Sequence, residues 1–156
     1  MARRRRTQPR SIKKDPRFDS VLVARFTNRL MLGGKKTVAQ RALYHALDLL
    51  ENEVSRPGIQ VFEQAVRNAT PAVEVKPRRV GGATYQVPIE VRSERKLSLA
   101  MRWLITAARA RKGRPISEKL FQELLDASRG QGAAVRRRED LYRMAEANRA
   151  FAHYRW

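Results

Sequence analysis

One segment of this chain breaks the rhythm of the rest. From Val73 to Val91 the apolar residues fall on every second position, with Val73 and Val75 before Gly81-Gly82 and Tyr85, Val87, Ile89 and Val91 after it. Elsewhere they recur every three to four residues. The first period alternates side chains across a strand and the second aligns them along a helix, so the pattern predicts a helical protein interrupted by one β-hairpin at about 73–91. Pro77 and Pro88 lack the N–H that a central strand must donate, which restricts the hairpin to an isolated two-stranded ribbon. Such a ribbon is marginal in water and needs a packing partner. A turn confined to Gly81-Gly82 sets Val75 against Pro88 and Glu74 against Ile89, mixing the faces. A three-residue loop, Gly81-Gly82-Ala83, pairs Val73 with Val91 and Val75 with Ile89, and is the expected register.

The helical segments follow from periodicity at about 100° per residue. Helix one, about 20–32, aligns Leu22, Val23, Phe26, Leu30 and Met31, with Asp19 or Ser20 as its cap and Gly33-Gly34 as its stop. Arg25 and Arg29 lie one turn apart outside that stripe. Helix two, about 37–54, has the widest apolar face: Val38, Ala39, Ala42, Leu43, Ala46, Leu47, Leu49, Leu50 and Val54. It is expected at the centre of the core. Pro57 and Gly58 precede helix three, about 58–69, with Ile59, Phe62, Ala65, Val66 and Ala69 in line.

Helix four, about 93–112, places Leu97, Met101, Leu104 and Ala108 opposite Arg95, Arg102 and Arg109, with Ser98 and Thr106 between these cations. Helix five, about 116–129, buries Ile116, Leu120, Phe121, Leu124 and Leu125 behind an acidic outer face. Helix six, about 133–152, carries Leu141, Met144, Ala145, Asn148, Phe151 and Ala152 on one stripe. The fold class is therefore mainly α: a six-helix single domain, 15–150, with a protruding two-stranded hairpin. A basic N-terminal arm (1–14) and an aromatic-basic C-terminal tail (151–156) flank it.

A length of 156 residues suits one domain, and the chain carries a formal charge of +19, from 34 Lys and Arg against 15 Asp and Glu. The distribution says more than the total. Residues 1–14 sum to +7, 15–36 to +3, 37–75 to −2, 76–114 to +9, 115–128 to −2 and 129–156 to +4. Charge added for solubility alone would be spread evenly, whereas this alternation interleaves core-building segments with segments that face a polyanion. Of the cations 26 are Arg, whose planar fork suits bidentate phosphate contacts and stacking on bases.

Other chemistry is thinly represented. There is no Cys and there are two His, which excludes disulfides, thiolate nucleophiles and Cys-type metal sites. Glu139 and Asp140 are adjacent and point about 100° apart on a helix, a poor acid/base pair. His45 falls on the polar side of helix two. Gly33-Gly34-Lys35-Lys36-Thr37 lacks the first Gly of a P-loop and follows a helix where a strand is required, so it suits phosphate contact without nucleotide hydrolysis. No enzymatic role, cofactor or metal is expected. Charges interrupt every apolar run well short of the roughly 18 residues that span a bilayer. The basic start is followed by no apolar segment, and a membrane or secreted location is not expected.

A nucleic acid is the partner this layout fits. RNA is favoured over DNA, because an arm, a ribbon and an aromatic tail suit irregular folded RNA and nothing resembles a zinc finger, a zipper or a recognition helix. Tyr85, Trp103, Tyr154 and Trp156 neighbour cations as candidates for base stacking, with Trp103 better suited to the core or its boundary and Trp156 equally suited to either role. The alternative is a basic architectural DNA-binding protein, which would need an apolar wedge where the ribbon tip has Gly81-Gly82.

Several motifs then carry a likeness: Gly33-Gly34-Lys35-Lys36 after helix one, Arg78-Arg79-Val80-Gly81-Gly82-Ala83-Thr84-Tyr85-Gln86-Val87-Pro88 in the ribbon, Leu99-Ala100-Met101-Arg102-Trp103-Leu104 in helix four, and the run from Met144 to Trp156. Together they resemble, essentially end to end, the bacterial-type small-subunit ribosomal protein seven family. The resemblance implies a structural constituent of the small ribosomal subunit. Its members bind the 3′ major domain of small-subunit ribosomal RNA, nucleate assembly of the head, and lie near the exit site beside messenger RNA and exit-site transfer RNA. Neighbours would be small-subunit proteins nine and eleven, the location cytoplasmic, and some members repress their own operon.

Carried onto this chain, rRNA contacts fall on Arg3, Arg4, Arg5, Arg6, Arg10, Lys35, Lys36, Arg78, Arg79, Arg95 and Arg102. The layout of charge adds Arg25, Arg29, Lys76, Arg109 and Arg111. Toward mRNA and tRNA would lie Arg79, Val80, Gly81, Gly82 and Ala83, with Arg143, Asn148, Arg149, His153, Tyr154, Arg155 and Trp156 from the C-terminal region.

Overall fold

Ser20 opens the first helix, α1 (Val21–Leu30), in the computed structural model, which describes residues 11–154. Its Oγ accepts the Val23 N–H, satisfying one of the donors a helix start leaves orphaned. The chain then runs α2 (Lys36–Val54), α3 (Gly58–Ala69), β1 (Val73–Val80), β2 (Ala83–Glu90), α4 (Ser93–Ala110), α5 (Ile116–Ser128) and α6 (Ala133–Ala147). A 3-10 turn over Arg149–Tyr154 follows. The arm residues Arg3 to Arg6 and Arg10, and Arg155 and Trp156 of the tail, lie outside the described residues.

One apolar cluster holds the helices together. Phe26 of α1 meets Phe62 of α3 edge to face with ring centroids 5.2 Å apart, and Leu43, Leu47 and Leu50 of α2, Met101 and Leu104 of α4 and Leu120 and Leu124 of α5 belong to the same buried cluster. Each side chain of that size contributes about 1.5–3 kcal/mol when fully buried. Periodicity anticipated this core, with two exceptions. Val38 and Met144, expected on apolar stripes, are exposed. The last helix also stops sooner than expected: Asn148 caps α6 by donating Nδ2 to the Met144 carbonyl at 2.7 Å, and the 3-10 turn replaces its final turn.

Gly58 shows why α3 begins where it does. A Cβ built there would stand 2.3 Å from the Leu47 carbonyl oxygen, so only glycine lets α3 approach the backbone of α2 this closely.

The hairpin differs from the expected register. Val80 pairs with Ala83, Val75 with Pro88 and Glu74 with Ile89, so the turn is the two residues Gly81-Gly82. Both glycines have positive φ, +57° and +91°, the combination of a type I′ turn, whose twist matches that of paired strands. The apparent cost of this register, Glu74 on the same face as Val87 and Ile89, is removed by tertiary contacts. Glu74 Oε2 accepts Arg95 Nε at 2.7 Å and Oε1 lies 3.2 Å from Lys76 Nζ. Burial alone would raise the Glu74 pKa, but the hydrogen bonds and charges of Arg95 and Lys76 outweigh it and hold the carboxyl below its ordinary value.

The ribbon finds its partners at the C-terminal end of the chain. The Tyr85 ring lies 4.9 Å from Phe151 and 5.5 Å from Tyr154, and the Ala72 N–H donates to Tyr142 Oη at 2.9 Å. An isolated hairpin is thereby anchored along one face, while Arg78, Arg79, Gly81, Gly82, Ala83 and Thr84 stay exposed at its tip.

Candidate nucleic-acid interface

α4 is the element that organises the cationic residues. Seven residues make nearly two helical turns, drifting by only about 20°, so Arg95, Arg102 and Arg109 project from one side along about 21 Å. Apolar residues Met101, Trp103, Leu104, Ile105 and Ala108 secure the helix by its other faces. At its start, Arg95 binds Glu74 and ties α4 to the base of the hairpin. At its end, Arg109 Nη2 donates to the Leu30 carbonyl at 2.9 Å, which ties it to the end of α1 just before the turn that leads through Lys35 into Lys36, the first residue of α2. One helix thus joins the ribbon to the lysine turn.

Midway along it, α1 packs beside α4 and the two enclose a cleft of about 580 Å³ lined by Arg25, Asn28, Arg29, Leu97, Ser98 and Met101, with Ser11, Ile12 and Glu94 also on its walls. Arg29 Nη2 donates to Ser98 Oγ at 2.7 Å, bridging the helices. Arg25 Nε is buried and has no hydrogen-bond partner among the described residues. A desolvated donor of this kind costs about 1–3 kcal/mol or more for a charged group until an acceptor arrives, so the cleft is suited to an anion. Among the described residues Glu94 is the one carboxylate on its lining.

The predicted residues divide by what holds them. Arg102, Lys35 and Lys36 are exposed with no carboxylate within ion-pair distance among the described residues, and Arg79 stands exposed near the hairpin tip beside Arg78. Lys76 and Arg95 share Glu74 yet keep about half of their side chains exposed, 46 % and 53 %. Arg143 and Arg149 are exposed but paired locally, Arg143 with Asp140 of the same helix at 3.5 Å and Arg149 of the 3-10 turn with Glu146 at the end of α6 at 3.4 Å. His153 is exposed, with Nδ1 2.8 Å from the Ala150 carbonyl and its ring against Tyr154.

Arg111 is the predicted contact most heavily engaged by carboxylates of its own chain. Its Nη2 lies 2.7 Å from Glu123 Oε2 and 2.5 Å from Asp126 Oδ2, its Nε donates to the same Glu123 oxygen, and Nη1 reaches Gln122. Glu123, expected on an acidic outer face, is 1 % exposed and also accepts the Ala134 N–H at 3.0 Å. This group clamps α5 to the start of α6 and leaves the Arg111 guanidinium engaged within the fold. Arg138 is likewise internal, donating to the Asn68 carbonyl, and Trp103 belongs to the core with Arg137 over its ring at 5.7 Å. Tyr85 and Tyr154 stack on each other.

Sequence reasoning missed Asn28 and the role of Ser98 as a bridge. Asn28 follows Arg25 by three residues and so shares its helix face, a spacing that could have marked it.

No group of three or more metal-ligating side chains occurs among the described residues, and no described helix is long and apolar enough to cross a membrane. What fold and site define is a helical scaffold that presents cationic side chains on a ribbon, a helix face and a turn. The chain belongs to the ribosomal protein S7p/S5e family, whose model matches residues 2–149. It is 56 % identical over 154 residues to small ribosomal subunit protein uS7 of Thermotoga maritima, covering 99 % of both chains. It is 54 % identical over 154 residues to that of Fervidobacterium nodosum, again 99 % of each, and 55 % identical over 156 residues to that of Dehalococcoides mccartyi, 100 % of each. The family is one of structural ribosomal proteins, and the chain is not an enzyme.

Proposed function

We propose that this chain is a primary RNA-binding protein of the small ribosomal subunit that grips the 3′ major domain of the ribosomal RNA and nucleates assembly of the head. The observation that carries this reading is the cationic line of α4, joined at one end to the hairpin and at the other to the Lys35-Lys36 turn. Phosphate contacts along such a line fix register and orientation, while the shape of the RNA decides which site accepts it. In this reading the Arg25–Arg29 cleft holds backbone phosphates and the basic arm adds to them. The hairpin tip from Arg79 to Ala83 and the C-terminal segment from Arg143 lie toward messenger RNA and exit-site transfer RNA. Proteins nine and eleven are its neighbours in the cytoplasmic ribosome. The exposed tip, Gly81-Gly82-Ala83, offers no apolar wedge, which supports folded RNA over bent DNA.

Footprinting on small-subunit rRNA with Arg29→Gln/Arg102→Gln tests the surface. Protection should weaken, and the slope of log K against log salt should become shallower by about one for each phosphate that is no longer neutralised. Unchanged protection would remove the α1–α4 surface from the interface. Equal binding to an unrelated DNA duplex would favour the architectural reading.

A further inference from the structure

A second concavity lies at the end of α4 remote from the hairpin. Leu32, Val38, Ala42 and Ile116 supply apolar walls, Lys35 and Arg109 the charged part of its lining, and it encloses about 340 Å³. Leu32 and Val38 are 68 % and 57 % exposed, the most exposed large apolar side chains among the described residues. Apolar side chains gathered in a cleft and left open to water mark a surface that is covered in use. Among the described residues no carboxylate lines it. The Arg109 guanidinium is anchored at the wall by its hydrogen bond to the Leu30 carbonyl, which holds a planar cation in place beside the apolar surface.

An apolar floor with a purely cationic rim fits a flat hydrophobic body attached to negative charge. An apolar peptide side chain would cover the floor and leave the rim without a counter-charge. A regular duplex would neutralise the rim and leave the floor wet, because its bases are stacked inside. An unstacked nucleotide satisfies both, with its base against Leu32, Val38 and the face of Arg109 and its phosphates on Lys35 and Lys36.

We propose that this groove receives one unpaired, extruded nucleobase of the bound RNA. The inference rests on the RNA-binding reading above and adds selectivity to it. Phosphate contacts carry no sequence information, whereas a base pocket demands an unpaired nucleotide at a set distance from the cationic line of α4.

The test uses the full-length protein and a transcript of the 3′ major domain of small-subunit rRNA. Leu32→Ser/Val38→Ser alters two exposed side chains. Affinity should fall about tenfold with an unchanged salt slope, and one unpaired nucleotide protected by the wild type should become reactive to 2′-hydroxyl acylation. If the double variant melts early, Leu32→Ser alone, in the turn outside α1 and α2, carries the same expectation at a smaller loss. Unchanged affinity and protection by a folded variant would overturn the groove and leave the RNA reading standing. So would an unchanged RNA footprint with loss of a neighbouring protein from reconstituted particles, which would assign the groove to a protein side chain. If the wild type bound this transcript no better than an unrelated duplex, both readings would fall together.

Discussion

Replacing Arg111 by Met separates a fold-internal arginine from an RNA contact. In the native protein the Glu123 carboxylate is buried, and three of its hydrogen bonds come from Arg111 Nε and Nη2 and the Ala134 N–H. Met fills much of the same volume but leaves Glu123, among the described residues, with the Ala134 N–H as its partner and a nearby like charge on Asp126. Removing one partner of a buried ion pair costs about 3–5 kcal/mol. The Arg111 side chain is 29 % exposed, so water softens the loss and the lower end, about 3 kcal/mol, applies. In a chain of this size that lowers Tm by about 6–12 °C, measured by thermal denaturation followed by circular dichroism. Adding Glu123→Gln neutralises the orphaned carboxylate and should recover about 1–2 kcal/mol. RNA affinity measured well below Tm should stay within about twofold of wild type. A Tm shift under about 2 °C, no recovery in the double variant, or a clear loss of RNA affinity by a stable Arg111→Met protein would each refute the clamp.

Three other perturbations follow from the geometry. Gly58→Ala forces a Cβ against the Leu47 carbonyl, and the strain of parting α2 from α3 should cost about 1–3 kcal/mol, read as a lower urea midpoint; an unchanged midpoint would mean the helices part freely. Ala in place of both Gly81 and Gly82 imposes left-handed backbone on residues with a Cβ, about 1–2 kcal/mol each, and hydrogen exchange across the ribbon should quicken while α2 and α3 stay protected. The Glu74 carboxyl titrates below its ordinary value near 4.5, so the stability it contributes is fully present above that pH. That contribution is lost as pH falls through the lower folded value, and Glu74→Gln should flatten this acid-side slope. An identical slope in the variant would show that the salt-bridged base of the hairpin is not responsible.

Much of this protein is legible in residue order because much of its structure is local. A helix repeats every 3.6 residues, so six apolar stripes, their glycine and proline stops and the seven-residue row Arg95, Arg102, Arg109 can be read one segment at a time. The hairpin declares itself by its change of period, and Pro77 and Pro88 announce that it stands alone. Charge is legible too, since its sign needs no fold.

What the sequence alone determined, then, was the kind of each element and where positive charge is carried. Register and pairing were decided elsewhere. Local pattern disfavoured placing Glu74 among apolar neighbours, and the arrival of Arg95 from twenty-one residues away, together with Lys76 on the same strand, makes that burial favourable. The same holds for Arg111, which charge counting set among the free cations until Glu123 and Asp126 of the next helix closed on it. Whether an arginine faces a partner molecule or a carboxylate of its own chain depends on distances of a few ångströms between elements remote in sequence. Coulomb energy in a desolvated site is strong enough to fix that choice, and tertiary packing alone sets those distances.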